Sequence, residues 1–221
     1  MSQIQTTVEH IETFPVSGNQ LLIGRKLPPS GVKGNYFLQD HWAAGDIVLH
    51  YGPVLENYPL RYDIENDILE IKLEKEGQVK ILKGEKVSKF LLHELAQTRE
   101  FINASEYKFQ GTVHIGFFEI IQDGNTQLFS KTFAKVKPPT YVEGLDVGER
   151  DHKIIKHEKI YIARDGEAFE LGPFGNDNKK HFETHLKSVE KYAKENRLKF
   201  KGKEDLKQIV AYYNKLNSSN Q

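Results

Sequence analysis

The stretch LRYDIENDILEIKLEKEGQVKIL, from Leu60 to Leu82, decides the fold. Apolar side chains alternate with charged ones in three short runs, which are Leu60-Tyr62-Ile64, Leu69-Ile71-Leu73 and Val79-Ile81. A period of two residues indicates a strand with one buried face, which places Glu70 and Lys72 on the solvent side. The turns at 65–67 and 76–77 are too short for a parallel crossover, so the sequence predicts three antiparallel strands.

The same period continues to about residue 171. Val113–Ile121 (VHIGFFEII) is apolar on both faces and predicts a central strand covered on both sides. Asp123-Gly124 predicts a hairpin turn after it. Arg164-Asp165-Gly166 predicts another hairpin. The charged segment Lys135–Lys153 has no periodic pattern, and a flexible flap is expected there.

A helical period replaces the strand period from about residue 179. Two apolar stripes follow, one with Phe182, Leu186, Val189 and Ala193, the other with Leu206, Ile209, Val210, Tyr213 and Leu216. Before them, residues 172–176 predict a turn, with a helix cap at Asn176, Asp177 or Asn178. Each stripe must be buried, so the helices are expected to cover part of the apolar sheet face.

The predicted fold class is therefore α+β, a mainly antiparallel curved sheet or partial barrel followed by a C-terminal helical hairpin. Residues 1–36 form an N-terminal segment with short strands near Val8–Ile11 and Leu21–Ile23. Residues 37–175 form the antiparallel β domain. Residues 176–217 form the helical hairpin packed on the sheet.

Charge is balanced in total but uneven along the chain. Residues 179–221 hold 11 Lys and Arg against 5 Asp and Glu, and residues 1–178 hold 20 against 26. The basic side chains of the tail form a possible partner surface, made of Lys187, Lys191, Lys194, Arg197, Lys199 and Lys201. Such a surface either keeps a helix soluble or binds an anionic partner, such as lipid head groups, polysaccharide or an acidic protein. Nucleic acid is not predicted as a partner, because the tail has no known binding motif and the chain is not basic.

The absence of cysteine removes disulfides, thiol nucleophiles and cysteine zinc sites. No apolar run approaches the roughly 20 residues that a transmembrane helix needs. The first ten residues, MSQIQTTVEH, lack the basic and apolar regions of a signal peptide. Either the protein is cytoplasmic or a signal peptide was removed before this numbering starts.

Catalytic motifs are weak. His181 and His185 are four residues apart with Glu183 between them, which could place two imidazoles on one metal. The third ligand is not evident. His152 or His157 could supply it only if the fold brought one of them close, which the sequence does not show. The nucleophile elbow G-x-S-x-G and the Walker spacing are both missing. We therefore predict no catalytic residue, no metal site and no cofactor.

Phe117 and Phe118 in GFFEI give an alternative. Aromatic residues line apolar pockets, so these two could line a cavity between sheet and helices. Core packing of a central strand is the simpler interpretation. The alternatives of an apolar-ligand carrier and of a metal-dependent enzyme both stay open at this point.

The order of several phrases is similar to that in a group of uncharacterised exported proteins of Bacteroidota. The phrases are NYFLQDHWAAGDIVLHYG (35–52), YPLRYDIENDILEIK (58–72), GFFEIIQDGNTQLFSKTF (116–133), KIYIARDGEAFEL (159–171) and VEKYAKENRLKFKGKEDLKQIVAYYNKL (189–216). Asp63 stands where the group often has Asn. The resemblance implies an exported precursor and a periplasmic or outer-membrane-associated mature protein. It implies no activity and no catalytic residue.

These observations lead to one functional hypothesis. The chain is expected to be a non-enzymatic cell-envelope protein that binds a partner macromolecule or an anionic surface. The partner is an unknown protein or an anionic envelope component, and the sequence does not define the oligomeric state.

Overall fold

A computed structural model describes residues 26–73, 79–109 and 112–218. The strands expected near Val8 and Leu21, and the turn at Glu76-Gly77, lie outside the described residues. The described residues divide into two compact units. The first comprises those up to Asn103 together with Thr132–His157, and the second comprises Ala104–Lys131 with the described part of Glu158–Gln221.

Most of the regular structure is strand. The strands are β1 (Val32–Lys33), β2 (Ala43–Leu49), β3 (Val54–Asp63), β4 (Ile68–Lys72), β5 (Val79–Lys83), β6 (Val87–His93), β7 (Thr98–Asn103), β8 (Lys108–Phe109), β9 (Thr112–Val113), β10 (Phe117–Gln122), β11 (Gln127–Lys137), β12 (His152–Arg164) and β13 (Glu167–Glu170). The helices are α1 (Gly175–Asn178), α2 (Leu186–Glu195) and α3 (Lys203–Ser218), with a 3₁₀ segment at Lys179–His185.

The first unit is an antiparallel meander with the strand order β5-β4-β3-β2-β6-β7. Asp63 pairs with Ile68 across the first turn, and Ile68 pairs in turn with Lys83 of β5. The three antiparallel strands expected between Leu60 and Leu82 are therefore confirmed. Among the described residues β5 has β4 as its one strand neighbour, so the sheet is open at this edge.

The core of the first unit lies on one face of this meander. Leu60, Ile71 and Phe90 are fully buried on it, and the rings of Phe90 and Phe101 stack 4.6 Å apart. Gly45 of β2 lies between β3 and β6, where a Cβ would overlap the carbonyl oxygen of Leu91 on β6. Glycine is thus required at this close approach of two strands.

Glu70 corrects the expectation that its face of β4 is solvated. It is 4% exposed, and its Oε2 accepts a hydrogen bond of 2.5 Å from the guanidinium of Arg61 on β3. That guanidinium lies 3.9 Å from the ring centroid of Phe37 and 4.1 Å from that of Trp42. The segment before β2 therefore covers the face that alternation alone assigns to solvent.

Asp63 lies beside the turn at 65–67, where a carboxylate is usually solvated, yet it is 2% exposed. Its Oδ1 accepts hydrogen bonds from the backbone N–H groups of Glu65 and Asn66, both at 3.1 Å. Its Oδ2 accepts one from the side-chain amide of Asn66 at 2.9 Å. The carboxylate is buried because it satisfies the turn, as Asp does in Asx turns.

The second unit contains, in strand order, β10, the first part of β11, the last part of β12, β13, β8 and β9. Both predicted hairpin turns are confirmed, with β10 antiparallel to β11 across Asp123-Gly124 and β12 antiparallel to β13 across Asp165-Gly166. The predicted single strand Val113–Ile121 is wrong in one respect. Residues 114–116 interrupt it, and Gly116 adopts a left-handed φ of 87° that separates β9 from β10.

The helices of the second unit pack on its own strands. Leu206, Ile209, Val210 and Tyr213 of α3 are buried in one cluster with Val189 and Ala193 of α2, Leu128 of β11 and Ile162 of β12. The α+β class, a mostly antiparallel sheet followed by a C-terminal helical region, is therefore confirmed.

Asn214 of α3 fastens this helix to the hairpin turn at Asp123-Gly124. Its Oδ1 accepts a hydrogen bond of 2.9 Å from the N–H of Thr126, and its Nδ2 donates one of 2.8 Å to the carbonyl of the same residue. Gly124 leaves room for the amide, since a Cβ there would overlap it. The side chain thus pairs with both backbone polar groups of Thr126, just before β11.

Two local expectations in the helical region are wrong. The cap was expected at Asn176, Asp177 or Asn178, but these three residues lie inside helix α1. The capping position of α1 is Phe174. Phe182, assigned to the first helical stripe, has the non-helical angles φ −118° and ψ 18°. It is nevertheless fully buried, so its ring enters the core from a 3₁₀ segment.

Candidate functional site: a basic groove

An open groove of about 320 Å³ lies in the helical region of the second unit. One wall is formed by residues 173–176, where the chain leaves β13 and enters α1. The other is formed by residues 199–201, between α2 and α3, and Lys179 completes the lining. We refer to these eight residues as the basic groove.

Asn178 holds the two walls together. Its Oδ1 accepts a hydrogen bond of 2.9 Å from the N–H of Gly172, and its Nδ2 donates bonds of 3.0 Å to the carbonyl of Gly172 and 2.8 Å to that of Phe200. The residue is 2% exposed. A buried amide with these three bonds fixes the spacing of the walls.

Gly175 brings the walls into contact. A Cβ at this position would lie 3.3 Å from the carbonyl carbon and oxygen of Phe200. The ring of Phe200 is buried and meets that of Phe182 edge to face at 5.6 Å. The floor of the groove is therefore continuous with the core.

Phe174 has the opposite exposure. Its side chain is 70% exposed at the rim of the groove, and Pro173 beside it is also exposed. Large apolar side chains in such positions mark contact surfaces when polar residues surround them.

Three lysines give the groove its charge. Lys179 Nζ lies 2.8 Å from Glu190 Oε1 and 5.5 Å from the ring centroid of Phe200. Lys199 and Lys201 are exposed, and no carboxylate lies within 4.0 Å of either ammonium among the described residues. Two of the three charges are therefore open to an incoming anion.

The structure places all six residues of the predicted basic surface on the exterior of the second unit. Lys187, Lys191 and Lys194 follow one face of α2, away from its buried Val189 and Ala193. Lys191 lies 4.0 Å from Glu195, with both side chains mostly exposed. Arg197, Lys199 and Lys201 continue along the connector to the groove.

Arg197 ends α2 in a left-handed conformation with φ 58°. Leu198 donates its N–H to the carbonyl of Ala193 at 2.8 Å, and Arg197 donates to that of Lys194 at 3.2 Å. These are the two bonds of a Schellman motif, which favours glycine at the position of Arg197.

Arg197→Gly is therefore expected to stabilise the protein by about 0.5–1 kcal/mol, because glycine adopts this φ without a Cβ penalty. Urea unfolding followed by circular dichroism measures the change. Arg197→Ala is the control, since it removes the same charge and keeps the penalty. Equal midpoints for the glycine and alanine variants would contradict the assignment.

Phe117 and Phe118, the predicted pocket lining, are 4% and 0% exposed. The ring of Phe118 stacks on Phe129 at 5.2 Å and also meets Tyr161 at 5.0 Å and His114 at 5.2 Å. These rings occupy the surroundings of Phe118, which is how a packed core residue behaves.

His181 and His185 do not have the geometry on which the metal hypothesis depends. Both lie in the 3₁₀ segment, where the break at Phe182 removes the helical i, i+4 relation. The ring of His181 packs at 5.6 Å from Phe169, and that of His185 at 6.0 Å from Tyr213. Within the part of the chain that the structure describes, no three His, Asp or Glu side chains converge as a metal site.

His181 is instead a source of acid sensitivity. Burial, with smaller effects of Lys180 and Arg164, lowers its pKa to about 4. The unfolded chain binds a proton near the ordinary value of about 6.5, so the stabilising contribution is complete above that pH. It is lost as the pH falls from about 6.5 to 4.

The melting temperature of the His181→Asn variant is expected to fall less than that of wild type between pH 7 and pH 4.5. Differential scanning calorimetry at several pH values measures this. His50→Asn, at an exposed position, is the control for losing a histidine. Parallel pH curves for wild type and His181→Asn would contradict the lowered pKa of this half-buried imidazole.

The segment Lys135–Lys153, expected to be a flap, is partly strand. β11 continues to Lys137 and β12 begins at His152. In the loop between them, the hydroxyl of Tyr141 donates to Asp146 at 2.7 Å, and Arg150 donates to both, each at 2.7 Å. Leu145 at the tip is 72% exposed.

Comparison with known proteins gives no relative. No protein-family model, no curated protein and no solved structure matches this chain. Each helix in the described ranges is too short or too polar to cross a bilayer.

Proposed function

We propose that this chain is a non-enzymatic binding protein of the cell envelope whose second unit engages an acidic region of a partner protein. The basic groove is the observation that carries the proposal. It combines two open ammonium groups with an exposed aromatic ring. Interfaces are built in this way, with an aromatic anchor and charged groups around it.

The five exposed lysines of the basic surface extend the positive electrostatic field of the groove. They lie on α2 and on the connector that forms one wall of the groove. The two helices are proposed to act as one antiparallel hairpin that presents them. Such a positive field speeds the encounter with an acidic partner and is weakened by salt.

A partner protein is favoured over a membrane surface because of how α2 is oriented. Helices that lie in a bilayer interface bury an apolar face in the lipid. The apolar residues Val189 and Ala193 are already in the core, and the outward side chains are charged. The groove is also concave, which suits a protruding group better than a flat surface.

Retention on immobilised poly-L-glutamate tests the electrostatic part. Wild type is expected to bind at about 0.05 M salt and to elute as the Debye length falls from roughly 10 Å near 0.1 M towards 3 Å near 1 M. A variant with five lysines replaced by Gln should elute at much lower salt. The replaced residues are Lys187, Lys191, Lys194, Lys199 and Lys201.

Five exposed lysines of the first unit provide the matched control, namely Lys72, Lys83, Lys86, Lys135 and Lys137. Their replacement by Gln removes the same charge and should change elution little. Equal shifts for both variants, or retention that is insensitive to salt, would contradict the proposal. Binding to vesicles with 30% anionic lipid but not to poly-L-glutamate would assign the surface to membranes instead.

The cellular location is a separate part of the proposal and rests on the resemblance to exported proteins. Immunodetection after fractionation of the source cells is expected to find the protein in the periplasmic or outer-membrane fraction. Detection in the cytoplasmic fraction alone would contradict export and leave the binding proposal intact.

A further inference from the structure

The rim of the basic groove holds its exposed ring in a defined place. Phe174 lies at the capping position of α1, between β13 and a turn that Asn178 and Gly175 pack against Phe200. Its backbone is therefore fixed while its side chain stays in water. A rigid aromatic side chain binds with a small loss of conformational entropy, which suits an anchoring contact.

The dimensions of the groove limit what can enter it. Its volume of about 320 Å³ is at the lower end of the range for ligand pockets, roughly 300–1,000 Å³. One large side chain with its adjoining extended backbone is of the right size.

The charges are arranged around an apolar floor. Phe200 is buried, whereas Lys199 and Lys201 on either side of it are exposed. Lys179, whose ammonium is 5.5 Å from the Phe200 ring centroid, is already paired with Glu190 at 2.8 Å. A complementary ligand has an apolar group between anionic groups.

We propose that the groove binds a short acidic peptide segment in which an aromatic or large aliphatic side chain is flanked by carboxylates. This inference rests on the proposed function and specifies its ligand. The apolar side chain packs between Phe174 and the floor, and the carboxylates pair with Lys199 and Lys201. Specificity comes from the apolar anchor, since an acidic sequence without it gains the charge contacts alone.

Fluorescence anisotropy with a labelled peptide, Gly-Glu-Asp-Phe-Glu-Asp-Gly, tests the inference on the full chain. Wild type should bind it about tenfold more tightly than the same peptide with Ala for Phe, the difference of one good anchor contact. Phe174→Ala should weaken binding of the Phe peptide by about fivefold to tenfold and leave binding of the Ala peptide unchanged. Leu145→Ala, which removes another exposed apolar side chain, should change neither.

The charge contacts have their own readout. The double variant Lys199→Gln, Lys201→Gln should bind both peptides about tenfold or more weakly than wild type at low salt. The difference in affinity between the variant and wild type should shrink at high salt. Phe174, Lys199 and Lys201 are exposed, so each variant is expected to fold. Circular dichroism checks this.

The outcomes separate this inference from the proposed function. Equal binding of the Phe and Ala peptides, with poly-L-glutamate retention intact, would overturn the anchored site and leave the general acidic partner. If wild type binds neither the peptides nor poly-L-glutamate, both proposals are overturned. Anionic vesicles whose binding depends on Phe174, with no peptide binding, would assign the groove to a lipid and overturn the peptide site.

Discussion

Replacing Arg61 with Ala is expected to lower the free energy of unfolding by about 2–4 kcal/mol, because it removes one partner of a largely buried ion pair. The guanidinium is held between the rings of Phe37 and Trp42, and its NH2 group donates to Glu70. Its removal opens a gap between two rings and takes away the hydrogen bond and charge that Arg61 gives to the Glu70 carboxylate, whose side chain is 5% exposed.

Urea unfolding measures this loss, with circular dichroism and fluorescence recorded together. Trp42 is the single tryptophan of the chain and reports directly on the stacked arrangement. Arg61→Lys should lose less, about 1–2 kcal/mol, since the charge remains but the planar stacking does not.

The pair between Lys89 and Glu100 provides the matched control. It also joins neighbouring strands of the first unit, with a distance of 2.8 Å, but its side chains are 41% and 37% exposed. Lys89→Ala should therefore cost less than about 1 kcal/mol. A cost for Arg61→Ala no larger than that for Lys89→Ala would show that the stacked pair does not stabilise the first unit.

Asn178→Ala is expected to lower the free energy of unfolding by about 2–4 kcal/mol, since a buried donor and acceptors left unsatisfied cost about 1–3 kcal/mol each. The amide bonds to both sides of the groove, at Gly172 and at Phe200. The variant should therefore also lose binding of the Phe-containing peptide at temperatures where it is still folded.

Asn196→Ala is the comparison for this second variant. Its amide also donates to a backbone carbonyl, that of Tyr192 at 2.9 Å, but in an exposed position. Its loss should cost at most about 1 kcal/mol, because water replaces the bond. An Asn178→Ala variant as stable as Asn196→Ala would contradict the role of Asn178 in holding the walls.

Alternation of side chains predicted the strands well where one face meets the core. Leu60, Leu69 and Ile71 are fully buried as expected. The helical stripe of α3 was equally reliable, because Leu206 and Ile209 recur at the period of a helix. Local periodicity succeeds in both cases because burial depends on a single covering layer.

Periodicity failed where a second layer or a backbone break intervenes. Glu70 reads as solvated, yet Arg61 neutralises it under Phe37 and Trp42, more than 25 residues earlier in the chain. Phe182 reads as helical, yet its backbone leaves the helical region and its ring is still buried. The signal in the sequence is Arg61, which lies opposite Glu70 once the two strands are paired.

The candidate site was only half visible in the sequence. The basic residues from Lys187 to Lys201 were identified from charge alone, and all of them are exposed. The groove requires residues 173–176 and 199–201 to come together, and their spacing depends on Asn178, which the sequence assigns to a helix cap. A side chain that bonds residues 6 and 22 positions away leaves no local pattern.

Backbone amide chemical shifts, recorded while the peptide Gly-Glu-Asp-Phe-Glu-Asp-Gly is titrated into ¹⁵N-labelled protein, test most directly whether the groove is a binding site. The largest changes are expected at residues 174–179 and 199–201, with smaller ones along the basic face of α2. Changes confined to other parts of the chain, or none at millimolar peptide, would contradict the site.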